Sequence, residues 1–168
     1  MLYFAYGSNM AQPRLAARVP IVQSLGLAIL EAHQLRFHKA GTDGSAKCDA
    51  LFTGRSEHWI EGGLFELEAS AVAVLDAIEG VDTGYAKKGV GVLGPRGQPV
   101  EAYTYVATDL DAGLLPFEWY KHHVVVGAKT LGVGRGYQAA LEAVEAWRDP
   151  DRQRHHREMA IHTDQESG

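Results

Sequence analysis

Apolar and polar positions along the chain change pattern in short blocks, and the blocks meet at glycine and proline. Residues 2–6, Leu-Tyr-Phe-Ala-Tyr, are an unbroken apolar run that predicts a buried strand, stopped by Gly7-Ser8-Asn9. Residues 10–19 suit a short helix, with Pro13 confining it to a first turn or a loop. Residues 25–30 and 34–38 predict a second and a third strand, 41–45 a turn, and 51–53 another short strand. Residues 59–67 mix large apolar side chains with Gly62-Gly63, the pattern of a strand that bulges or passes close to another backbone, here expected beside a cavity.

The period then lengthens. Residues 69–79 lack Gly and Pro, and Val72, Leu75 and Ile78 recur at helical spacing before Gly80, a residue suited to a C-terminal cap. Residues 85–93 and 100–107 are strand-like and flank Gly94-Pro95-Arg96-Gly97, so they predict a hairpin. Pro116 opens a helix over 116–127, although Val124-Val125-Val126 favours a strand locally. Residues 131–136 are a glycine loop and 137–147 a second amphipathic helix. Many short strands with a few helices in this order argue for an α+β fold. One domain is expected over residues 1–148, followed by a charged, histidine-rich tail over 149–168, either frayed or a solvated helix.

Composition narrows the function classes. The length of 168 residues fits one domain of ~100–200 residues, and 46% hydrophobic with 22% charged residues excludes disorder for the bulk of the chain. Sixteen basic against 21 acidic residues give a net charge of −5, which offers nucleic acid no basic footprint. No apolar run reaches ~18 residues and the first residues lack a signal-peptide pattern, so no membrane partner and a cytoplasmic location are expected. The lone cysteine, Cys48, excludes an intramolecular disulfide and a multi-cysteine zinc site, and no activating pattern surrounds it.

Three places could carry chemistry. Tyr6-Gly7-Ser8-Asn9 follows a buried strand, and consecutive amides at such a turn form a concavity for a carboxylate or another anion. A plain strand-ending turn is the bland alternative. Glu79 follows Leu75 by four residues, which places it on or beside the apolar stripe in the last helical turn. Burial and the helix dipole both disfavour its charged form, and Asp76 adds a like charge, the setting of a carboxylate that exchanges protons near neutral pH. A solvent-facing last-turn glutamate is its alternative. Tyr120 lies with Trp119 in an aromatic cluster that serves as core, as a homodimer interface, or as the donor of a hydroxyl to a cleft. The eight histidines show no ligand spacing, so no metal is expected. Gly132-Val133-Gly134-Arg135-Gly136 resembles a phosphate loop but lacks its lysine.

These pieces together resemble the γ-glutamylcyclotransferase family. Tyr3-Phe4-Ala5-Tyr6-Gly7-Ser8-Asn9-Met10 is similar to its N-terminal signature, and Leu75-Asp76-Ala77-Ile78-Glu79-Gly80 to its Leu-Asp-x-x-Glu-Gly element. Arg14 and Arg18-Val19-Pro20, the strand 60–67, the hairpin 85–107 and Tyr120 with Gly127-Ala128-Lys129 also fit, so the likeness spans roughly residues 1–147. The resemblance implies a compact mixed β-barrel flanked by helices. It further implies cyclisation of a γ-glutamyl amino acid or γ-glutamyl amine to 5-oxoproline with release of the amine. Glu79 is implied as the general acid and base, Tyr6, Gly7, Ser8, Asn9 and Met10 as the cradle for the substrate's polar end, and Tyr120 as a wall of the same cavity. No cofactor is implied, because the substrate's own α-amine is the nucleophile. Two alternatives stand beside it: removal of a γ-glutamyl protecting group or γ-glutamylamine in a biosynthetic pathway, and a non-catalytic γ-glutamyl-binding module.

Overall fold

The computed structural model describes residues 1–163. In chain order the elements are β1 (Leu2–Ala5), a 3-10 turn (Ser8–Met10), α1 (Gln12–Ala16), β2 (Ile21–Glu31), β3 (His33–Ala40), β4 (Ala46–Phe52), β5 (Trp59–Leu67), α2 (Ala69–Glu79), β6 (Tyr85–Leu93), β7 (Pro99–Ala107), α3 (Glu118–Leu131), α4 (Arg135–Glu142) and α5 (Arg152–Thr163). Strands β1, β5, β2, β6 and β7 close a barrel in that order, while β3 and β4 form a separate hairpin. Neighbours in the barrel run antiparallel except β7 and β1, which meet in parallel at Tyr3 and Tyr103. The fold is the α+β class that the pattern of elements predicts, built as the mixed β-barrel flanked by helices that the family resemblance implies.

Strand β2 begins at Ile21, earlier than its apolar pattern suggests. Register shifts between Ile21 and Gln23 and between Ser24 and Gly26 break the two-residue period, and such bulges bend a strand toward closure. Strand β4 is longer than residues 51–53 because it hides buried polar positions. Asp49 accepts the Ala107 amide at 2.8 Å and faces His38 Nε2 at 2.7 Å, which fastens the hairpin to the barrel. Gly62 and Gly63 do not line the cavity. A Cβ on Gly62 would strike the Ala5 carbonyl and the Phe4 ring, and one on Gly63 the Phe65 ring, so this pair lets β5 close against β1 and its own neighbours.

Helix α2 has the predicted bounds. It buries Ala71, Val72 and Leu75, and Gly80 caps it in the left-handed region at φ 69°. Ile78 is exposed, so the buried stripe ends one turn before Glu79. Helix α3 continues to Leu131, with Gly132 at φ 73° as its cap, and the valine run is helical. Helix α4 covers 135–142 rather than 137–147. The chain after it is drawn back onto the start of α3: the Trp147 amide donates to Pro116 O at 3.1 Å and the Glu118 amide to Trp147 O at 3.0 Å. The Gly132–Gly136 stretch is thus a cap and a helix start, and the Gly134 amide donates to Glu61 at 2.8 Å.

As far as Thr163 the tail carries a helix tied to the rest of the fold by polar groups, and residues 164–168 of the expected tail lie outside the described residues. Glu158 of α5 hydrogen-bonds and ion-pairs with Arg14 of α1 and accepts from His123 Nε2 of α3 at 2.9 Å. His123 Nδ1 lies 2.6 Å from His162 Nε2. Asp149, fully enclosed ahead of this helix, accepts from Trp119 Nε1 at 2.8 Å and from Arg154.

Candidate active site

Strand β1 ends at Ala5 and hands the chain to Gly7, which starts the 3-10 turn. Gly7 has a negative φ of −109°, so its need is for space and not for handedness. A Cβ there would lie 3.1 Å from both the Tyr120 hydroxyl and Cys48 Cβ. The turn brings Asn9 to the end of α2, where Glu79 waits. Asn9 Nδ2 donates to Glu79 Oε1 at 2.9 Å and approaches the Tyr3 hydroxyl at 3.1 Å. Arg18, on the stretch after α1, donates from Nη1 to the same Glu79 oxygen at 2.7 Å and to Asn9 Oδ1 at 3.2 Å. Among the described residues Glu79 Oε2 has no hydrogen-bond partner. One carboxylate oxygen is fixed and the other is free.

A pocket opens beside Glu79. Tyr6, Gly7, Ser8, Asn9, Glu79 and Tyr120, all predicted from sequence, line it, together with Tyr3, Cys48, Tyr85 and Tyr105. Met10 is the exception: it is buried under α3, where a Cβ on Gly127 would strike its backbone, and it does not line the pocket. Its amide is also occupied, donating to Gly7 O at 3.0 Å. Ser8 and Asn9 stand at the start of the 3-10 turn, where the first amides of a helical turn lack an internal acceptor.

The tyrosines hold one another and the Cys48 peptide. The Tyr120 hydroxyl accepts the Cys48 amide at 2.9 Å, and the Tyr85 hydroxyl donates to Cys48 O at 2.7 Å. Tyr6 donates to the Tyr105 carbonyl. Burial pushes the hydroxyls of Tyr3, Tyr6, Tyr85 and Tyr120 well above the usual phenol range, so they act as neutral donors. Burial likewise pushes the Cys48 thiol up to about 12, which removes it as a nucleophile near neutral pH. Asp76 is not a like-charge neighbour left to act on Glu79: it accepts from Tyr105 at 2.7 Å and pairs with Lys87 at 2.6 Å.

Beyond Glu79 the pocket widens into a chamber of about 390 Å³, within the range of small-molecule sites. Ser8, Glu79, Tyr85 and Tyr120 belong to both spaces, and Arg14, Arg18, Lys39 and Lys47 line the outer one. Sequence reasoning placed no role on Arg18, Tyr3, Tyr85 or Tyr105. Arg18 stands in the Arg18-Val19-Pro20 stretch, but its partner is 61 positions away, and the three tyrosines have the pattern of strand core. Among the described residues no group of three or more His, Cys, Asp or Glu side chains is arranged to hold a metal ion.

Comparison with known proteins bears on the fold and the family. The model of the AIG2-like family matches residues 59–141, a span that holds Glu79 and Tyr120. Gamma-glutamylcyclotransferase of Homo sapiens is 29% identical over 149 residues, covering 86% of this chain and 78% of that protein, and its Mus musculus counterpart is 28% identical over the same coverage. A solved gamma-glutamyl cyclotransferase superposes with a TM-score of 0.79 at 26% identity, covering 86% of this chain and 88% of the other. With the barrel and the matched span in agreement, the chain belongs to the AIG2-like, γ-glutamylcyclotransferase family.

Proposed function

We propose that this protein is a cyclotransferase that converts a γ-glutamyl amino acid or γ-glutamyl amine to 5-oxoproline. The α-amine of the substrate attacks its own γ-carbonyl carbon. A new C–N bond forms, the bond to the departing amine breaks, and no water is consumed. The enzyme then has two tasks: to move one proton from the attacking nitrogen to the leaving nitrogen, and to hold the chain folded for attack.

The observation that carries this reading is the half-anchored carboxylate. Asn9 and Arg18 fix Glu79 Oε1, so Oε2 can take the proton of the α-amine and return it without losing its position. The early amides of the 3-10 turn and the neutral Tyr120 hydroxyl suit a substrate carboxylate or the oxygen on which negative charge develops. The buried tyrosine wall supplies donors that stay neutral while the reaction proceeds.

Product stoichiometry tests the reaction type. With γ-glutamylalanine, 5-oxoproline and alanine are expected in a one-to-one ratio with no free glutamate. Free glutamate in place of 5-oxoproline would mean hydrolysis and would overturn the reading.

A further inference from the structure

The outer chamber carries positive charge that the chain itself leaves unanswered. Lys39 and Lys47 are direct partners across the β3–β4 ladder, and like charges placed opposite one another destabilise a strand pair. Lys47 is compensated: Nζ donates to Asp43 at 2.8 Å and to Ser45 Oγ at 2.7 Å. Lys39 is not. It is only 7% exposed, donates to the Ala40 carbonyl at 2.6 Å, lies 5.1 Å from the centre of the Tyr85 ring, and makes no ion pair among the described residues. Asp109, also at the chamber, is exposed at its rim. A buried ammonium without a carboxylate is costly unless a ligand completes it.

A second cation points the same way. Arg14 is 8% exposed and lines the chamber, and its Nε has no hydrogen-bond partner although its Nη1 is engaged by Glu158. Lys39, with no ion pair among the described residues, and Arg14, already paired with Glu158, thus border one space, and that space begins at Glu79, where the leaving group of the proposed reaction departs.

We propose that the chamber selects a dianionic leaving group, so that the preferred substrates are γ-glutamyl derivatives of acidic amino acids, with Lys39 as a specificity-determining residue. This rests on the cyclotransferase reading above. The departing amino acid brings an α-carboxylate and a side-chain carboxylate to a wall that offers Lys39 and Arg14. Gly84 makes room for the Lys39 ammonium: a Cβ there would lie 2.7 Å from Lys39 Nζ.

The test compares γ-glutamylglutamate with γ-glutamylglutamine, which match in shape and differ by one charge, with γ-glutamylalanine as reference. Wild type is expected to favour γ-glutamylglutamate in kcat/KM by roughly ten-fold or more, the discrimination one charge-assisted hydrogen bond supports. Lys39→Met is expected to close that gap mainly through KM, and Lys39→Arg to restore it. Gly84→Ala, which displaces the ammonium without removing it, is expected to narrow the gap too and stands in if Lys39→Met does not fold. Equal kcat/KM for the two dipeptides in wild type, or a gap that survives both Lys39→Met and Gly84→Ala, would overturn the inference while leaving the cyclotransferase reading intact. If no γ-glutamyl compound yields 5-oxoproline, that reading fails instead. Calorimetric binding of the same two dipeptides then decides the inference: Lys39-dependent preference for γ-glutamylglutamate supports it, and equal binding overturns it.

Discussion

Arg18 Nη1 lies 2.7 Å from Glu79 Oε1, so the carboxylate at the end of α2 faces a guanidinium from a segment 61 residues earlier. A helix C-terminus repels negative charge. The ion pair offsets that repulsion and, with Asn9, fixes one oxygen of the carboxylate while its other oxygen has no hydrogen-bond partner among the described residues.

Arg18→Ala is expected to leave the fold intact and to lower kcat/KM by about a hundred-fold, because Glu79 loses its orientation and a small misplacement of a reacting group has that cost. Steady-state kinetics on γ-glutamylalanine with a matched thermal melt checks this. Unchanged kinetics would show that the pair has no part in catalysis.

Gly7→Ala places a methyl group 3.1 Å from the Tyr120 hydroxyl and from Cys48 Cβ, at the floor of the pocket. Activity is expected to fall by at least about ten-fold, since discrimination by one methyl-sized change in a tight site is of that order. The melting temperature should fall as well, by the cost of about 1–3 kcal/mol that overpacking brings, because Cys48 and Tyr120 are buried and must give way. Kinetics and melting measured on the same sample separate the two effects.

Tyr120→Phe removes the acceptor of the buried Cys48 amide. Leaving that amide unsatisfied is expected to cost about 1–3 kcal/mol. Denaturant unfolding measures it, and a stability equal to wild type would mean that the amide finds another partner.

Acid should loosen the C-terminal helix. Burial holds the His123 imidazole down at about 4, while His123 and Arg14 hold the Glu158 carboxyl down at about 2 against the effect of its burial. His122 and His162 are lowered by burial as well. A group whose folded pKa is depressed stabilises the fold above its unfolded pKa, and that contribution is lost as pH falls toward the folded value. For His123 the loss runs from pH 6.5 to about 4, with an upper bound of about 3 kcal/mol, and Glu158 adds to it below pH 4.5. Thermal melts between pH 7.5 and pH 4.5 and amide exchange on α5 are expected to report falling stability with protection lost first on α5. Flat profiles would contradict this account of how Glu158 and His123 hold α5.

Residues 69–79 are legible in the sequence because alanine and leucine run without a breaker up to a glycine cap, and the structure keeps both bounds. The turn at Gly7-Ser8-Asn9 and the acid at Glu79 are legible as motifs, each strengthened by the other. The groups that act on Glu79 are not, since Asn9 and Arg18 stand 70 and 61 positions from it and meet it only once the barrel closes. Tyr3, Tyr85 and Tyr105 look like core residues of strands, and only the open end of the barrel turns them into a wall. Strand β4 is obscured by Lys47, Cys48 and Asp49, whose partners lie on other elements. Helix α5 has no apolar stripe for a pattern to find, since Glu158 and His162 dock it through polar contacts.

The central claim is that Glu79 carries the proton, and the most direct test is 5-oxoproline release by Glu79→Gln on a γ-glutamyl dipeptide that the wild type cyclises. The variant keeps the shape and can still accept from Asn9 and Arg18, so the account predicts a melting temperature close to wild type and turnover reduced by about 10²- to 10⁴-fold. Wild-type rates of 5-oxoproline formation from a folded Glu79→Gln protein would contradict it.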